Sequence, residues 1–280
     1  LPDFQTHPPK DEVYLTDALE IAAKSGKAGA MIISDPREAD GVNTRVDLAK
    51  ATNVLQARIV HDLMLQGVTF LAPDSVTVEP SVQISQDCVV DRGVVLRGNT
   101  VLEQNVCIEA YSILEDTLVG TGSTIKAQSH CVGALIGSEA SVGPFARLRE
   151  GTQIGNRAKV GNFVEMKKTS LGDGAKASHL TYLGDATIGA NANIGAGTIT
   201  CNYDGFNKHQ TQIGEGAFIG SNTALVAPVT IGDGALIGAG STITQNVDQN
   251  AIGFTRAQQQ SIEGGASRFR KRAIGLKKST

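Results

Sequence analysis

The chain of 280 residues has no tryptophan, and aromatic residues make up only 4% of it. Glycine is frequent, with 32 residues, and 41% of the chain is hydrophobic. A globular core is normally filled by large side chains, so this composition suits one poorly. It favours a narrow fold whose interior holds one small aliphatic side chain at each level.

Other absences limit the partners of the protein. No apolar run approaches the roughly 18 residues of a membrane-spanning helix, and no secretory signal opens the chain, so we expect a cytoplasmic protein without membrane insertion. The net charge of −3 argues against nucleic-acid binding. The cysteines have no CxxC spacing and are predicted to be buried thiols in a reducing compartment. They are Cys88, Cys107, Cys131 and Cys201.

What the sequence does have is an aliphatic residue at every sixth position over residues 84–247. A fixed hexapeptide period is the signature of a parallel β-helix, and with three hexads to a coil this stretch predicts about nine coils. The rhythm breaks over residues 119–134 and again over 200–212, where CNYDGFNKHQTQ is expected to loop out. The clearest runs are Ile84, Val90, Leu96, Leu102, Ile108 and Leu114, then Val142, Leu148, Ile154, Val160 and Met166, then Ile213, Ile219, Leu225, Ile231, Ile237 and Ile243.

The segments on either side of the repeats do not follow the hexapeptide period. A helix is predicted over 14–26, a short buried strand over 28–34 and a long helix over 44–67, placed to cover the exposed edge of the first coil. We therefore divide the chain into a remnant domain (1–43), a linker helix (44–67), the β-helix (68–250) and a basic C-terminal arm (251–280). The flat apolar faces of a triangular prism favour a trimer.

Polar residues that do not fit the hexads cluster between Arg149 and Lys208. His179 and Tyr182 lie three residues apart, near a slip in the repeat. A histidine on a β-helix wall is often only a surface residue, but beside cationic groups it suits a general base for an amine or hydroxyl of a phosphorylated substrate. Arg149 and Lys167 are 18 residues apart, which places them on one wall of adjacent coils as a paired anion site. Glu165 could polarise His179, although a salt bridge with a neighbouring lysine is the simpler interpretation.

Several longer segments resemble one family. The sequence at 143–152 (GPFARLREGT), 161–168 (GNFVEMKK), 178–186 (SHLTYLGDA), 193–205 (NIGAGTITCNYDG) and 225–232 (LVAPVTIG) is similar to the acetyltransferase half of the bifunctional bacterial N-acetylglucosamine-1-phosphate uridyltransferases/glucosamine-1-phosphate acetyltransferases. The resemblance implies a left-handed parallel β-helix, a homotrimer, and transfer of an acetyl group from acetyl-CoA to the amine of glucosamine 1-phosphate. The product would serve UDP-N-acetylglucosamine and cell-wall synthesis.

The resemblance also implies roles for individual residues. His179 would be the base that takes a proton from the sugar amine. Glu150 stands where the family pattern has proline. The sugar phosphate would be bound by Arg149, Lys167 and Tyr182, and the sugar by Asn193 and Lys208. The acetyl-CoA site would be lined by Ala196, Asn202, Tyr203, Ser221, Ala239 and Arg256; the small residues among them are also ordinary hexad residues.

The resemblance extends weakly to EVYLTDAL and GVNTRVDLA, which are similar to the last pieces of the uridyltransferase domain. Asn43 matches an asparagine that, in the family, helps to bind magnesium. The glycine-rich nucleotide loop and the metal-binding aspartate that would precede these pieces are absent, so Mg²⁺ belongs only to a missing site. We expect no uridyltransferase activity from this chain.

Three alternatives remain at the level of sequence. A γ-type carbonic anhydrase needs three zinc-binding histidines, and only His130 and His179 lie inside the repeats. A non-catalytic scaffold or an ice-binding prism would show ranked Thr-x-Thr pairs, of which there are only isolated examples. Another hexapeptide-repeat acetyltransferase, acting on a sugar or an amino acid, is the closest rival.

Overall fold

The computed structural model describes residues 7, 9 and 14–277, and no side chain is described beyond residue 274. Positions 1–6, 8, 10–13 and 278–280, which fall in the predicted segments 1–43 and 251–280, lie outside the described residues. The chain divides into two compact units, Leu1–Asn53 and Val54–Thr280. In the described part of the chain, no helix is both long and apolar enough to cross a bilayer.

The first unit contains helix α1 (Thr16–Lys24) and a short 3-10 helix at Pro36–Ala39. The first helix was predicted, with slightly wider bounds. The buried strand predicted over 28–34 is wrong, because these residues form no strand and Met31 and Ile32 are 85% and 97% exposed. A single apolar run does not form a stable strand when no neighbouring strand pairs with its backbone.

Helix α2 runs from Arg45–Leu65, close to the predicted bounds. Its start is fixed by a reciprocal cap in which the Thr44 hydroxyl accepts from the Asp47 backbone N–H at 3.2 Å and donates to the Asp47 carboxylate at 2.7 Å. Further along, the amide of Gln56 accepts from the N–H of Val78 and donates to its carbonyl, at 2.8 and 2.9 Å. The helix thus covers the backbone of the first coil, as predicted.

The second unit is a parallel β-helix of about ten turns, so the prediction of hexapeptide coils is confirmed, with one turn more than expected. Its strands form three walls. The first wall consists of Thr69–Phe70, Val89–Val90, Cys107–Ile108, Thr124–Ile125, Ser141–Val142, Lys159–Asn162, Lys176–His179, Asn193–Ile194, Phe218–Ile219, Leu236–Ile237 and Ile252–Gly253.

The second and third walls are joined into one sheet, since Glu165–Leu171 and Tyr182–Ile188 run along both of them without a break. The other strands of the second wall are Thr77–Val78, Val95–Arg97, Ile113–Glu115, His130–Val132, Arg147–Leu148, Ile199–Cys201, Ala224–Val226 and Thr242–Ile243. Those of the third wall are Gln83–Ile84, Val101–Leu102, Leu118–Val119, Leu135–Ile136, Gln153–Ile154, Thr211–Ile213 and Val229–Ile231.

The interior is a column of aliphatic side chains, one from each strand, and Leu96, Leu114 and Leu148 are completely buried. The break predicted over 119–134 is wrong. Strands continue through it, with Cys131 taking an inward position between Leu114 and Leu148 in the parallel register. Each coil here is simply one residue shorter than three full hexads. The cysteine is an adequate substitute for an aliphatic residue because a free thiol behaves as a small hydrophobe.

The loop within the repeats agrees with the sequence prediction, whereas the C-terminal arm does not. The loop predicted over 200–212 is confirmed and occupies the residues between Ile199–Cys201 and Thr211–Ile213. Beyond the last rung at Ile252–Gly253, the arm contains helix α3 (Gly265–Lys277), which the sequence analysis did not predict. The described cysteines are all free thiols, and complete burial raises the pKa of Cys131 to about 12.

Candidate functional site

One corner of the β-helix, where the first wall turns into the second, carries a column of candidate residues. The parallel register pairs Asn162 with His179, and it aligns Ala177, Ile194, Ile219 and Ile237 in successive coils. The residue two places after each of these lies at the same corner, with coils about 4.8 Å apart. The column is therefore Asn162, His179, Ala196, Ser221 and Ala239.

Arg256 belongs to the same corner. Its guanidinium donates to the Ala239 carbonyl at 3.0 Å and lies close to Gly238. The predicted base and four of the six predicted coenzyme residues are thus continuous along one edge of the molecule. Sequence analysis gave these residues separately and did not place them in one column.

His179 is exposed, and its position is fixed by Asn162. The Nδ1 of His179 lies 2.6 Å from the Oδ1 of Asn162, one coil away. Because an amide oxygen only accepts, Nδ1 carries a proton in this arrangement, so the neutral imidazole has its lone pair on Nε2. That is the form of imidazole that can accept a proton. Asn162 was not among the predicted site residues; its place in the register next to His179 is the signal that identifies it.

The second wall carries Glu165 and Tyr182 next to each other in register. Glu165 forms a salt bridge, but its partner is Arg149 and not the predicted neighbouring lysine: Arg149 donates to its carboxylate at 2.9 Å. The hydroxyl of Tyr182 projects over Gly184, where an added Cβ would lie 2.5 Å from it and 2.8 Å from the amide nitrogen of Asn202. Because Gly184 has no side chain, the Tyr182 hydroxyl and the Asn202 amide can both occupy the space above it.

A cationic cluster occupies the far end of this wall. Lys208 and then Arg149 lower the pKa of Lys167, with a smaller contribution from Lys168. Like charges depress a lysine pKa because they disfavour its charged form. As expected from their spacing, Arg149 and Lys167 lie on the same wall of adjacent coils. Only Arg149 in this cluster has a carboxylate partner among the described residues. The positive charges of its lysines are therefore available to bind an anion.

The loop that carries Lys208 is held mainly by Asp204. One carboxylate oxygen of Asp204 accepts from the N–H groups of Phe206 and Asn207, and the other lies 2.7 Å from the Nε2 of His209. These hydrogen bonds lower the pKa of Asp204 to about 2. A backbone bridge between Tyr203 and Lys208 closes the loop. The loop is consequently an ordered turn with Lys208 at its returning end.

The structure does not gather all predicted residues at one place. Asn193 lies on the first wall, between Lys176 and Phe218, and not on the wall of Lys167. The amide of Asn202 donates to Asp185 beneath the loop. The Tyr203 hydroxyl donates to the Gly205 carbonyl at 2.6 Å, so it serves the loop itself.

Among the described residues, Asn43 has no cluster of metal-binding side chains around it. It is exposed, and its backbone N–H lies 3.4 Å from the Asp47 carboxylate, which is already engaged in capping helix α2. Among the residues that the structure describes, no three His, Cys, Asp or Glu side chains converge to bind a metal. The residues around Asn43 therefore do not fit Mg²⁺, and no reaction step is assigned to it.

The fold and the repeat define a class of protein, and comparison with known proteins agrees. Residues 210–245 match the family model described as bacterial transferase hexapeptide (six repeats). A solved structure of LpxA from Acinetobacter baumannii superimposes with a TM-score of 0.46 at 16% identity, covering 70% of this chain and 76% of that one. Within this chain, residues 210–245 are thus similar to the hexapeptide-repeat transferases.

The sequence identity to curated proteins is higher than that to the solved structure. The chain is 48% identical over 254 residues to the Bifunctional protein GlmU of Alkalilimnicola ehrlichii, covering 90% of this chain and 55% of that protein. It is 47% identical over 265 residues to the protein of the same name from Pseudoalteromonas atlantica, covering 94% and 58%. The chain thus spans a little over half the length of these relatives and corresponds to their C-terminal part.

Proposed function

We propose that this chain is an acyltransferase that moves the acetyl group of acetyl-CoA to the amine of glucosamine 1-phosphate. The observation that carries the proposal is the corner column, in which His179, fixed by Asn162, continues directly into Ala196, Ser221 and Ala239. The similarity to GlmU relatives supports the same activity. The product, N-acetylglucosamine 1-phosphate, would feed UDP-N-acetylglucosamine and cell-wall synthesis in the cytoplasm.

The chemistry requires one base. The Nε2 of His179 takes a proton from the sugar amine as the amine nitrogen attacks the thioester carbonyl. The new C–N bond forms, the C–S bond breaks, and the proton passes from the imidazolium to the departing thiolate. A positioned histidine of this kind typically contributes about 10²–10⁴-fold to the rate. Asn162 acts through His179 and is a positioning residue.

The cationic cluster would bind the phosphate of the substrate. Arg149 and Lys167 offer charged donors, and the Tyr182 hydroxyl adds a neutral one beside them. A bound phosphate would relieve the repulsion between Lys167 and Lys208. We assign Lys208 and Asn193 to the sugar hydroxyls, as the family resemblance implies.

Acetyl-CoA would lie along the corner column. Ala196, Ser221 and Ala239 are small residues whose backbone groups remain close to the surface of the corner, so an extended pantetheine chain can follow them. Asn202 and Tyr203 flank the acetyl end from the loop, and Arg256 would contact the phosphates of the coenzyme at the other end. With acetyl-CoA in this orientation, its thioester would lie next to His179.

The spacing of these residues supports a site shared between copies in a homotrimer. Lys167 lies five residues beyond the position that pairs with His179, at most roughly 16 Å along the chain at about 3.3 Å per residue, and the chain turns a corner between the two. The amine and the phosphate of glucosamine 1-phosphate are on adjacent carbon atoms. A base from one copy and a cationic cluster from the next would meet both groups more closely than the two walls of one copy.

An exposed apolar ridge beside the column gives further support to the trimer. Phe145, Phe163 and Leu180 are 46%, 56% and 61% exposed, and all three have positive φ angles of 50–56°. The two phenylalanine rings stack at 5.3 Å between centroids. A contiguous apolar surface next to a functional site is typical of a protein interface, and we assign this ridge to the contact with another copy.

The proposal is tested by measuring thiol release from acetyl-CoA with glucosamine 1-phosphate as acceptor. His179→Ala should reduce kcat by about 10²–10⁴-fold, while His61→Ala, at an exposed position on helix α2, should have no effect. Equal rates for His179→Ala and the unmodified chain would refute the role of His179. If thiol release requires serine or another amine instead, the rival hexapeptide-repeat acetyltransferase is correct. Pyrophosphate release from UTP and N-acetylglucosamine 1-phosphate is expected to be absent.

A further inference from the structure

A cavity of about 230 Å³ opens on the second wall and borders on the cationic cluster. It is lined by His130, Val132, Arg147, Leu148, Arg149, Glu150 and Lys167. The family resemblance assigns only Arg149 and Lys167 of these residues to a ligand. His130 and Arg147 occupy neighbouring coils of the same register column, so their side chains project from the wall side by side.

Arg147 has no carboxylate partner. Its register neighbour in the next coil is Glu165, but Glu165 forms its 2.9 Å ion pair with Arg149 instead. Among the residues that the structure describes, the side chain of Arg147 takes part in no hydrogen bond or ion pair, and the same holds for the side chain of His130. Two donor side chains therefore face the cavity without a partner among the described residues.

The charges around the cavity favour an anion. Arg147, Arg149 and Lys167 contribute three cations, against two carboxylates: Glu150 in the lining and Glu165, which is paired with Arg149. His130 adds an N–H donor, which imidazole supplies in either protonation state. Arginine can present two parallel N–H groups to an oxyanion, which makes it well suited to phosphate.

The size of the cavity limits the ligand. Pockets for drug-sized ligands have about 300–1,000 Å³, so a cavity of about 230 Å³ holds a phosphate-sized group and not a nucleotide. We propose that this cavity receives the phosphate of the phosphorylated substrate, and that Arg147 and His130 bind it together with Arg149 and Lys167. This inference rests on the proposed function, and it adds two residues to the phosphate site.

Binding of inorganic phosphate, measured by calorimetry, tests the cavity without any enzymatic turnover. Arg147→Gln should weaken phosphate binding by roughly tenfold, and His130→Ala by a smaller factor, as expected for a charged and a neutral hydrogen bond. Arg97→Gln is the matched control, because Arg97 is exposed on the same wall outside the cavity. Unchanged phosphate affinity in Arg147→Gln, with the fold intact by circular dichroism, would overturn the proposal.

Steady-state kinetics then separate this inference from the proposed function. Arg147→Gln should raise KM for glucosamine 1-phosphate by a similar factor and leave KM for acetyl-CoA unchanged. A chain that binds phosphate through Arg147 but releases no thiol would refute the acetyltransferase and leave the anion cavity standing. An active enzyme with unaltered KM in Arg147→Gln would refute the cavity alone.

Discussion

At the scale of single residues, the hydrogen bond between Asn162 and His179 sets the tautomer of the proposed base. Asn162→Ala removes the acceptor of the Nδ1 proton, so the imidazole can rotate and adopt the other tautomer. Loss of one hydrogen bond of about 0.5–1.5 kcal/mol predicts a fall in kcat of up to about tenfold, with KM for both substrates little changed. Nitrogen NMR of the imidazole should show a mixture of tautomers in the variant and one tautomer in the unmodified chain.

A matched control for this variant exists at another corner. Asn156 accepts a hydrogen bond from the Ser138 N–H at 2.9 Å, in a turn that follows the third wall. Asn156→Ala removes a comparable hydrogen bond away from the column, so it should leave kcat and the tautomer unaltered. An equal loss of kcat in both variants would mean that Asn162 contributes only to the general stability of the coils.

At the scale of elements, the loop between Cys201 and Thr211 should respond to acid before the β-helix does. The pKa of Asp204 is lowered from 3.8 to about 2. A carboxylate with a depressed pKa stabilises the folded form above its unfolded pKa, and this contribution is lost as pH falls towards 2. We expect the Tyr203 fluorescence or amide exchange of the loop to change in that range.

At neutral pH, the same loop is tested by Asp204→Ala. Losing the contacts to Phe206, Asn207 and His209 should release Lys208 and raise KM for glucosamine 1-phosphate several-fold, with kcat and Tm unchanged. Asp233→Ala is the control, because Asp233 makes a similar hydrogen bond to the Glu215 N–H at 2.8 Å in a different turn. If both variants alter KM equally, the loop has no specific part in substrate binding.

The hexads also show how far sequence could predict these elements. The inward aliphatic residues and the neighbouring positions of Arg149 and Lys167 follow from a regular coil of 18 residues. The column could not be predicted in this way, because Asn162, His179 and Ala196 are spaced by 17 residues, Ser221 follows after 25 and Ala239 after 18. Coil length depends on the turns, and the turns leave no periodic signal.

Local patterns outside the repeats were less reliable for a physical reason. Helix α2 was predictable because its period and its cap lie within one segment. The run at 28–34 has an equally apolar composition, but a strand exists only when another strand pairs with it, and such a partner cannot be identified from the run itself. Helix α3 was missed because Gly265, Gly275 and its many charged residues leave a weak apolar period.

At the scale of the whole molecule, the proposed sharing of the site between copies makes a quantitative prediction. His179→Ala and Lys167→Ala each inactivate a site, but a shared site needs His179 from one copy and Lys167 from its neighbour. When equal amounts of the two variants are unfolded together and refolded, about one quarter of the sites in randomly assembled trimers regain both residues. Thiol release should then return to about a quarter of that of the unmodified chain.

A second mixture distinguishes sharing from simple stabilisation of one variant by the other. The double variant His179→Ala/Lys167→Ala, refolded with an equal amount of unmodified chain, leaves about one quarter of shared sites intact, since both neighbours must be unmodified. If each copy contained a complete site, about half would remain active and the first mixture would stay inactive. The corner column and the cationic cluster can therefore be assigned to one copy or to two by activity alone, because the two arrangements differ in both mixtures.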